Sequence, residues 1–597
     1  MDRPSVQHFL SRLRRRVAVG IGRAELSQHT AEMTLGVLVG LGGGLGAVVF
    51  RWMIKTFQAG FFGNGKHILS FMGPYYTILL PALGGLLVGP LTHFLAPEAK
   101  GHGVPEIMEA VAVRGGRIRA RVAMIKSVAS AVCIGSGGSV GREGPIAQIG
   151  AALGSITAGL LNVSDTRRRT LVACGAAAGI AATFNAPIGG AFFALELILG
   201  RWTADAFAPV VVAAVTGAAI GRSVFGNVPA FAVPAYELAN LTELPAFLLL
   251  GIIVAPVAVA FIRAVALSEE FFEDLPIPPY ALPVFGGLIV GVIGMYDPTL
   301  YGVGYEKLQE LLVSTNFDIA ALVVLLFMKI ITTSTTIGSG GSGGVFSPSL
   351  YLGGIVGAVF GVVMAGLFAG TTTPAAYALT GMAALFAATS HAPITAGLIV
   401  FELTSDYRMI LPLMAACGAS VLVARAITRF SIYNIKLVRR GVHVELGHDV
   451  QVLSEIPVEK AMTTELPIVP KEMPVAEVIA LFEKTRLYGL PVVNGNGRLA
   501  GLVTLSDIRR AGSAGLHRGV GEIATHQLVI AFPDESLNDA LRKMGLRGVG
   551  HLPVVDREDH TRLLGWITTQ DILAQYNRYL TRRHTRLHTT QDEDIFE

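Results

Sequence analysis

Three short stretches place glycine and proline where an apolar run begins: Gly-His-Gly-Val-Pro-Glu at 101–106, Gly-Arg-Glu-Gly-Pro at 141–145 and Gly-Val-Phe-Ser-Pro at 344–348. Each reads as a helix N-terminus, where proline is pre-set for the first turn. First-turn N–H groups lack an intrahelical acceptor and lie at the positive end of the helix dipole, so such ends receive anions. The candidate anion-binding residues are Gly101, His102, Gly103, Val104 and Pro105, then Gly141, Arg142, Gly144 and Pro145, then Gly344, Val345, Phe346 and Pro348. The backbone amides of Val345 and Phe346 are natural donors. Partial charges from several helix ends suit transport better than a buried lysine or arginine, because conduction requires binding weak enough to release.

Glu143 is an acid set among these amides. Ionised, it competes with an anion for the same donors; protonated, it swings away. Acids inside a membrane are costly and usually functional, so a gate is expected here. The plainer alternative is a glutamate that stabilises its helix start or pairs with Arg142. His102 offers an imidazole N–H to an anion and, protonated, would make the site sensitive to pH; a neutral histidine capping its loop is the bland reading. Gly338, Gly340 and Gly343 fit the dinucleotide pattern G-x-G-x-x-G, which wants an acid about 20 residues on. No Asp or Glu occurs from 319 to 401, which rejects that site.

The elements that must position these residues are membrane helices. The 597-residue chain is 52% hydrophobic and only 15% charged, with 70 glycines, and its mean hydropathy is +0.56. Soluble chains carry about 25% charged residues, and abundant glycine lets membrane helices approach closely. Apolar runs fill roughly 32–54, 75–95, 121–134, 146–161, 171–200, 207–221, 244–268, 280–296, 319–333, 349–368, 376–403 and 408–428. Several fall short of the ~20 residues of a full span, and short helices meeting Gly-rich breaks point to a site at mid-membrane. The formal net charge is +4, too weak to suggest nucleic acid. Arg12, Arg14–Arg16 and Arg23 precede the first run, and Arg114, Arg117, Arg119 and Arg121, Arg167–Arg169, and Lys436, Arg439 and Arg440 form further basic loops. All can face the cytoplasm together. Cys133, Cys174 and Cys417 lie in apolar runs with neither metal nor disulfide spacing and read as small buried hydrophobes.

The membrane part repeats itself. Residues 124–150 align without gaps to 327–353, matching Lys126 with Lys329 and Gly135–Ser139 with Gly338–Ser342; residues 175–196 align to 381–402, matching Pro187 with Pro393 and Glu196 with Glu402. Two homologous halves place a binding site at their interface. Where the first half has Glu143, the second has Phe346, so one half alone contributes a carboxylate. The polar tail also repeats, 490–508 being echoed by 552–572, and each copy reads as a small α/β unit. The boundaries expected are a basic segment 1–30, a membrane domain 31–437 with halves 31–221 and 244–437, a linker 438–457, paired tail units 458–515 and 520–580, and a tail 581–597.

The three loop motifs, in this order, resemble the anion-pathway motifs of the CLC chloride channel/transporter family, and the Ser-Ile-Tyr stretch ending at Tyr433 resembles the fourth. The resemblance covers residues 30–437 and implies an all-α inverted-repeat membrane domain, a homodimer with a pore in each subunit, Glu143 as the gating glutamate and Tyr433 at the inner constriction. Without the family, Tyr433 reads as an interfacial belt tyrosine. Two positions depart from the family pattern. His102 stands where chloride-selective relatives usually have serine and nitrate-selective ones proline, which opens the selectivity question. Leu197, after Glu196, occupies the place where coupled members commonly carry an intracellular proton-transfer glutamate. Leucine cannot carry a proton, so passive conduction of chloride is the first expectation and chloride/proton exchange, with Glu196 as substitute, the second.

The tail resembles a tandem CBS pair. In that family the pattern of Thr504 with Asp507, and of Thr568 with Asp571, implies contacts to the ribose and phosphate of an adenine nucleotide. Many such pairs serve only as dimerisation and coupling modules. A nucleotide sensor without significant flux is the rival from another class. A magnesium channel is disfavoured, because hard cations need clustered oxygens that the spans lack. No metal site, required cofactor or enzymatic constellation is expected. The expected partners are chloride or a similar small anion, protons if coupled, the lipid membrane and a second copy, with both termini cytoplasmic in a bacterial inner membrane.

Overall fold

The computed structural model describes residues 28–440, 453 and 456–578, apart from 69, 201–202, 227–242, 314–316, 369–371, 405, 465–466, 486–488, 513–514 and 577. The basic residues at 12–23 and the tail 581–597 lie outside the described residues. Two units separate, Met1–Leu446 and Gly447–Glu597.

The first unit is helical throughout. Its first half runs α1 (Gln28–Gln58), α2 (Tyr76–Pro90), α3 (Val104–Ala112), α4 (Ala120–Gly135), α5 (Glu143–Leu161), α6 (Asp165–Phe184), α7 (Pro187–Phe193, continued by a π turn over Ala194–Leu199) and α8 (Ala204–Phe225). The second half runs α9 (Leu244–Glu273), α10 (Leu282–Gly294), α11 (Tyr305–Val313), α12 (Ile319–Gly338), α13 (Phe346–Leu367), α14 (Pro374–Ser390), α15 (Pro393–Thr404), α16 (Ile410–Ile427) and α17 (Asn434–Arg439). Among the described residues eight helices are long and apolar enough to span a bilayer. Helices α7, α10 and α15 are shorter apolar pieces, as the interrupted hydropathy predicts. All three cysteines are free and buried.

The two halves are built by matching contacts. A Cβ on Gly150 would stand 2.1 Å from the Gly175 carbonyl oxygen, and one on Gly175 would stand 1.9 Å from that of Gly150, so α5 and α6 cross backbone to backbone. Gly353 and Gly381, their repeat partners, do the same between α13 and α14, at 2.2 and 2.3 Å. Small residues at such crossings let packing replace a hydrophobic drive that lipid does not supply. The repeat also extends beyond the two blocks legible at first: Pro81-Ala-Leu-Gly-Gly of α2 matches Pro283-Val-Phe-Gly-Gly of α10. A Cβ on Gly85 would meet the Pro283 carbonyl oxygen at 2.1 Å, and one on Gly287 would meet that of Pro81 at 2.4 Å. Reciprocal contacts of this kind are what a two-fold relation between halves produces.

The second unit holds two small α/β lobes. In one, β1 (Val469–Pro470) pairs parallel with β2 (Gly489–Val493), which pairs antiparallel with β3 (Leu499–Thr504); α18 (Val475–Thr485) and α19 (Leu505–Ala511) complete it. In the other, α20 (Leu537–Arg547) precedes the antiparallel pair β4 (His551–Val555) and β5 (Leu563–Thr568). Register repeats between lobes, Gly489 facing Thr504 and His551 facing Thr568. The lobes are interleaved rather than consecutive. Ile456 and Val458 pack into the core of the second lobe with Leu537 and Leu552, while Val520 and Ala524 pack into that of the first with Val469 and Leu490. Thr463 exchanges backbone bonds with Trp566 of β5 at 2.8 and 2.9 Å, so each motif lends its leading segment to the other lobe.

Candidate functional site

The three loop motifs converge. Gly141 and Gly344 exchange backbone bonds, N–H to O=C at 2.7 and 2.5 Å. Gly101 donates to the Gly341 carbonyl at 3.0 Å and accepts from Gly343 N–H at 3.3 Å. Each loop then enters a helix: Gly103 precedes α3, Arg142 precedes α5 and Val345 precedes α13. By helix geometry the first amides of each have no intrahelical acceptor. Gly144 is required here, since a Cβ would fall 2.0 Å from the His102 carbonyl oxygen. Gly101 and Gly103 hold φ of 80° and 83°, the left-handed region that glycine enters freely.

Two buried lysines anchor the loops to their helices. Lys126 of α4 donates to the carbonyls of Ala99 and Gly101 at 3.0 and 2.5 Å. Lys329 of α12, its repeat partner, donates to Leu300 and Gly302 at 3.2 and 3.4 Å. That correspondence exposes a further repeat block, Gly101-x-Gly103 before α3 against Gly302-x-Gly304 before α11, the latter pair at φ 59° and 78°. The first residue of α11 is Tyr305.

Tyr305 is a residue of the candidate site for which the sequence raised no expectation. Its hydroxyl donates to Glu143 Oε1 at 2.9 Å, and Ser347, likewise without one, donates to the same oxygen through Oγ. Ser347 Oγ lies 3.0 Å from the Tyr305 hydroxyl. Glu143 is only 1% exposed, and its Oε2 is buried with no partner among the described residues. Arg142 does not pair with it: its guanidinium carbon lies over the Tyr305 ring, 5.0 Å from the centroid. The signal for Tyr305 was the second Gly-x-Gly, visible once the repeat is extended.

Phe346, the counterpart of Glu143, packs its ring against Phe184 and Phe386, with centroids 4.9 and 4.3 Å away. At the other end of the converging loops, His102 and Tyr433 are each 1% exposed, with ring centroids 6.2 Å apart. His102 Nδ1 is buried without a hydrogen-bond partner among the described residues. Pro105, Pro145, Pro348, Val104 and Gly344 are likewise buried at the helix starts. Beside Lys126, the cations Lys436 and Arg440 stand near this end, and they form ion pairs with Glu269 at 3.3 Å and Glu106 at 3.5 Å.

Glu196 and Glu402 are placed by the same two-fold logic. Glu196 accepts from Ile394 N–H at 3.4 Å, and from Thr395 N–H and Oγ1–H at 2.7 and 2.6 Å, capping the start of α15. Glu402 accepts from Ile188 and Gly189 N–H at 3.0 and 2.6 Å, capping α7. Each half therefore closes a helix of the other. Leu197 is 5% exposed and packed in the apolar core.

In the second unit Thr504 caps α19. Its N–H and Oγ1–H donate to Asp507 Oδ2 at 2.9 and 2.7 Å, and Asp507 N–H returns a bond at 3.3 Å. Thr568 and Asp571 repeat this at 2.9, 2.7 and 3.1 Å. These are reciprocal capping boxes, which leave one carboxylate oxygen of each aspartate outside the box.

Residues 84–425 match the family model described as "Voltage gated chloride channel", and 454–514 and 520–578 each match the CBS domain. The chain is 34% identical over 410 residues to "Putative chloride channel protein ClcB-like" of Ralstonia nicotianae, covering 67% of this chain and 95% of that one. It is 34% identical over 369 residues to "H(+)/Cl(-) exchange transporter ClcA" of Vibrio parahaemolyticus, covering 60% and 78%. Among solved structures, a slow cyanobacterial Cl-/H+ antiporter superposes with a TM-score of 0.62 at 26% identity, covering 70% of this chain and 99% of that one.

Proposed function

Because the chain belongs to the voltage gated chloride channel family of anion transporters, with a C-terminal CBS pair, we propose that it conducts chloride passively, with Glu143 as the gate. Closed, the Glu143 carboxylate is held by Tyr305 and Ser347 beside the helix starts that an anion would use. Open, an anion takes the place of the carboxylate at the amides of α5 and α13. His102 and Tyr433 line the opposite end of the pathway.

The observation that carries the channel reading is Leu197. It places no protonatable group where coupled relatives commonly carry one, and Glu196 beside it commits both oxygens to α15. Reversal potentials in liposomes test this, under a chloride gradient with and without an opposing pH gradient, and with Glu143→Gln alongside. Reversal that tracks chloride alone supports the channel.

A second reading, chloride/proton exchange, is favoured by relatives whose names are exchange transporters. A shift of reversal with pH would establish it. No anion current from either protein would promote the nucleotide-sensor reading. The CBS pair is proposed to take an adenine nucleotide through the oxygens of Asp507 and Asp571 that lie outside the capping boxes, that of Asp507 being 3.8 Å from Arg510. The protein is further proposed to be a homodimer in a bacterial inner membrane with both termini cytoplasmic.

A further inference from the structure

Arg51 of α1 and Arg142 of the loop before α5 border one cavity of about 260 Å³, together with Thr183, Asn185, Phe225 and Tyr305. Among the described residues no carboxylate lines it. The Arg51 guanidinium carbon lies 4.1 Å from the Phe225 ring centroid, and that of Arg142 lies 5.0 Å from that of Tyr305. Stacking on an aromatic face holds a guanidinium without neutralising it. Among the described residues neither arginine forms an ion pair, and Arg142 Nε is buried with no acceptor. Two unneutralised cations and an orphaned donor at one cavity constitute a site prepared for negative charge.

We propose that this cavity binds a small inorganic oxyanion such as sulfate, and that its occupancy loosens the bond holding Glu143. A guanidinium presents a planar fork of N–H groups that matches two oxygens of one anion in parallel. A bare halide offers no such pair, and the cavity is several times the ~30 Å³ share of one water. The link to the gate is Tyr305. Arg142 stands over the ring whose hydroxyl donates to Glu143 at 2.9 Å, and a cation over the ring strengthens the hydroxyl as a donor. An oxyanion that draws Arg142 aside weakens it. This second step rests on Glu143 being the gate; the binding step does not.

The test titrates sodium sulfate into the purified full-length protein in detergent, at ionic strength held constant with sodium gluconate, and reads the midpoint of thermal unfolding. The wild type should show a saturable rise. Arg51→Gln should raise the half-saturating concentration at least tenfold, Arg51→Lys should fall between, and Glu143→Gln should bind as the wild type does. Equal half-saturation in wild type and Arg51→Gln, or a rise that never saturates, overturns the site. In liposomes, sulfate on the cavity side should speed chloride efflux through the wild type and not through Arg51→Gln. Saturable binding without that acceleration overturns the coupling. Saturable binding in a wild type that passes no chloride instead sinks the gate reading and leaves the site standing.

Discussion

The Tyr305 hydroxyl meets Glu143 Oε1 at 2.9 Å across the two halves of the membrane unit, the two residues lying 162 positions apart in the chain. One half supplies the carboxylate and the other supplies the phenol that restrains it. The restraint is removable without touching either backbone.

Tyr305→Phe deletes that donor and keeps the ring under Arg142. A hydrogen bond to a charged group contributes about 1.5–3 kcal/mol, so the open population should rise on the order of tenfold. Chloride efflux from liposomes should quicken accordingly. Efflux that slows or stays put would mean that the phenol does not hold the gate.

Leu197→Glu places a carboxyl where coupled relatives commonly have one. The channel reading predicts that reversal potential, indifferent to pH in the wild type, becomes sensitive to a pH gradient in this variant. If the wild type already responds to pH, the exchanger reading takes over.

Glu196→Gln and Glu402→Gln each weaken a cap that spans the two halves. Each should lower stability by about 1–3 kcal/mol, read as a fall in thermal midpoint, while reversal potentials keep the wild-type value. A changed reversal in Glu196→Gln with unchanged stability would instead mark that residue as a proton carrier.

His551 stacks on Trp566 with ring centroids 5.0 Å apart, and burial pushes its imidazole below the ordinary range. The unfolded chain therefore binds a proton more readily than the folded one, and stability rises with pH across that window. The contribution is full above the unfolded value of about 6.5 and is lost as pH falls through the folded value. Hydrogen exchange on the full-length protein should show β4 and β5 losing protection as pH falls below about 6.5 once intrinsic rates are corrected. His551→Gln should flatten that loss.

Much of this was legible in the residues. Gly141-Arg-Glu-Gly-Pro announces a helix start by chemistry that needs no partner, and composition alone announces the membrane. The match of Lys126 with Lys329 was readable because the residues around both recur. Tyr305 was not, because only two glycines of its block survive the comparison with 101–106, and two glycines carry little information. Ser347 carries no signal of its own, because glycine, proline and backbone amides are what mark its motif. The capping role of Glu196 needed the fold, since its partners at 394 and 395 lie on the other half. In the tail the sequence shows two copies in tandem, yet strand exchange between lobes depends on contacts that no linear pattern records.

The crossed caps of Glu196 and Glu402 also bear on how the chain is made. Ile188 and Gly189 leave the ribosome some 200 residues ahead of Glu402, the only acceptor their N–H groups have among the hydrogen bonds described. At about 5–20 residues per second, the start of α7 waits on the order of 10–40 s with its amides unanswered. Lipid offers no substitute acceptor. The first half must therefore linger near water, the insertion machinery or a chaperone until the second arrives, and the two halves complete each other only at the end of synthesis.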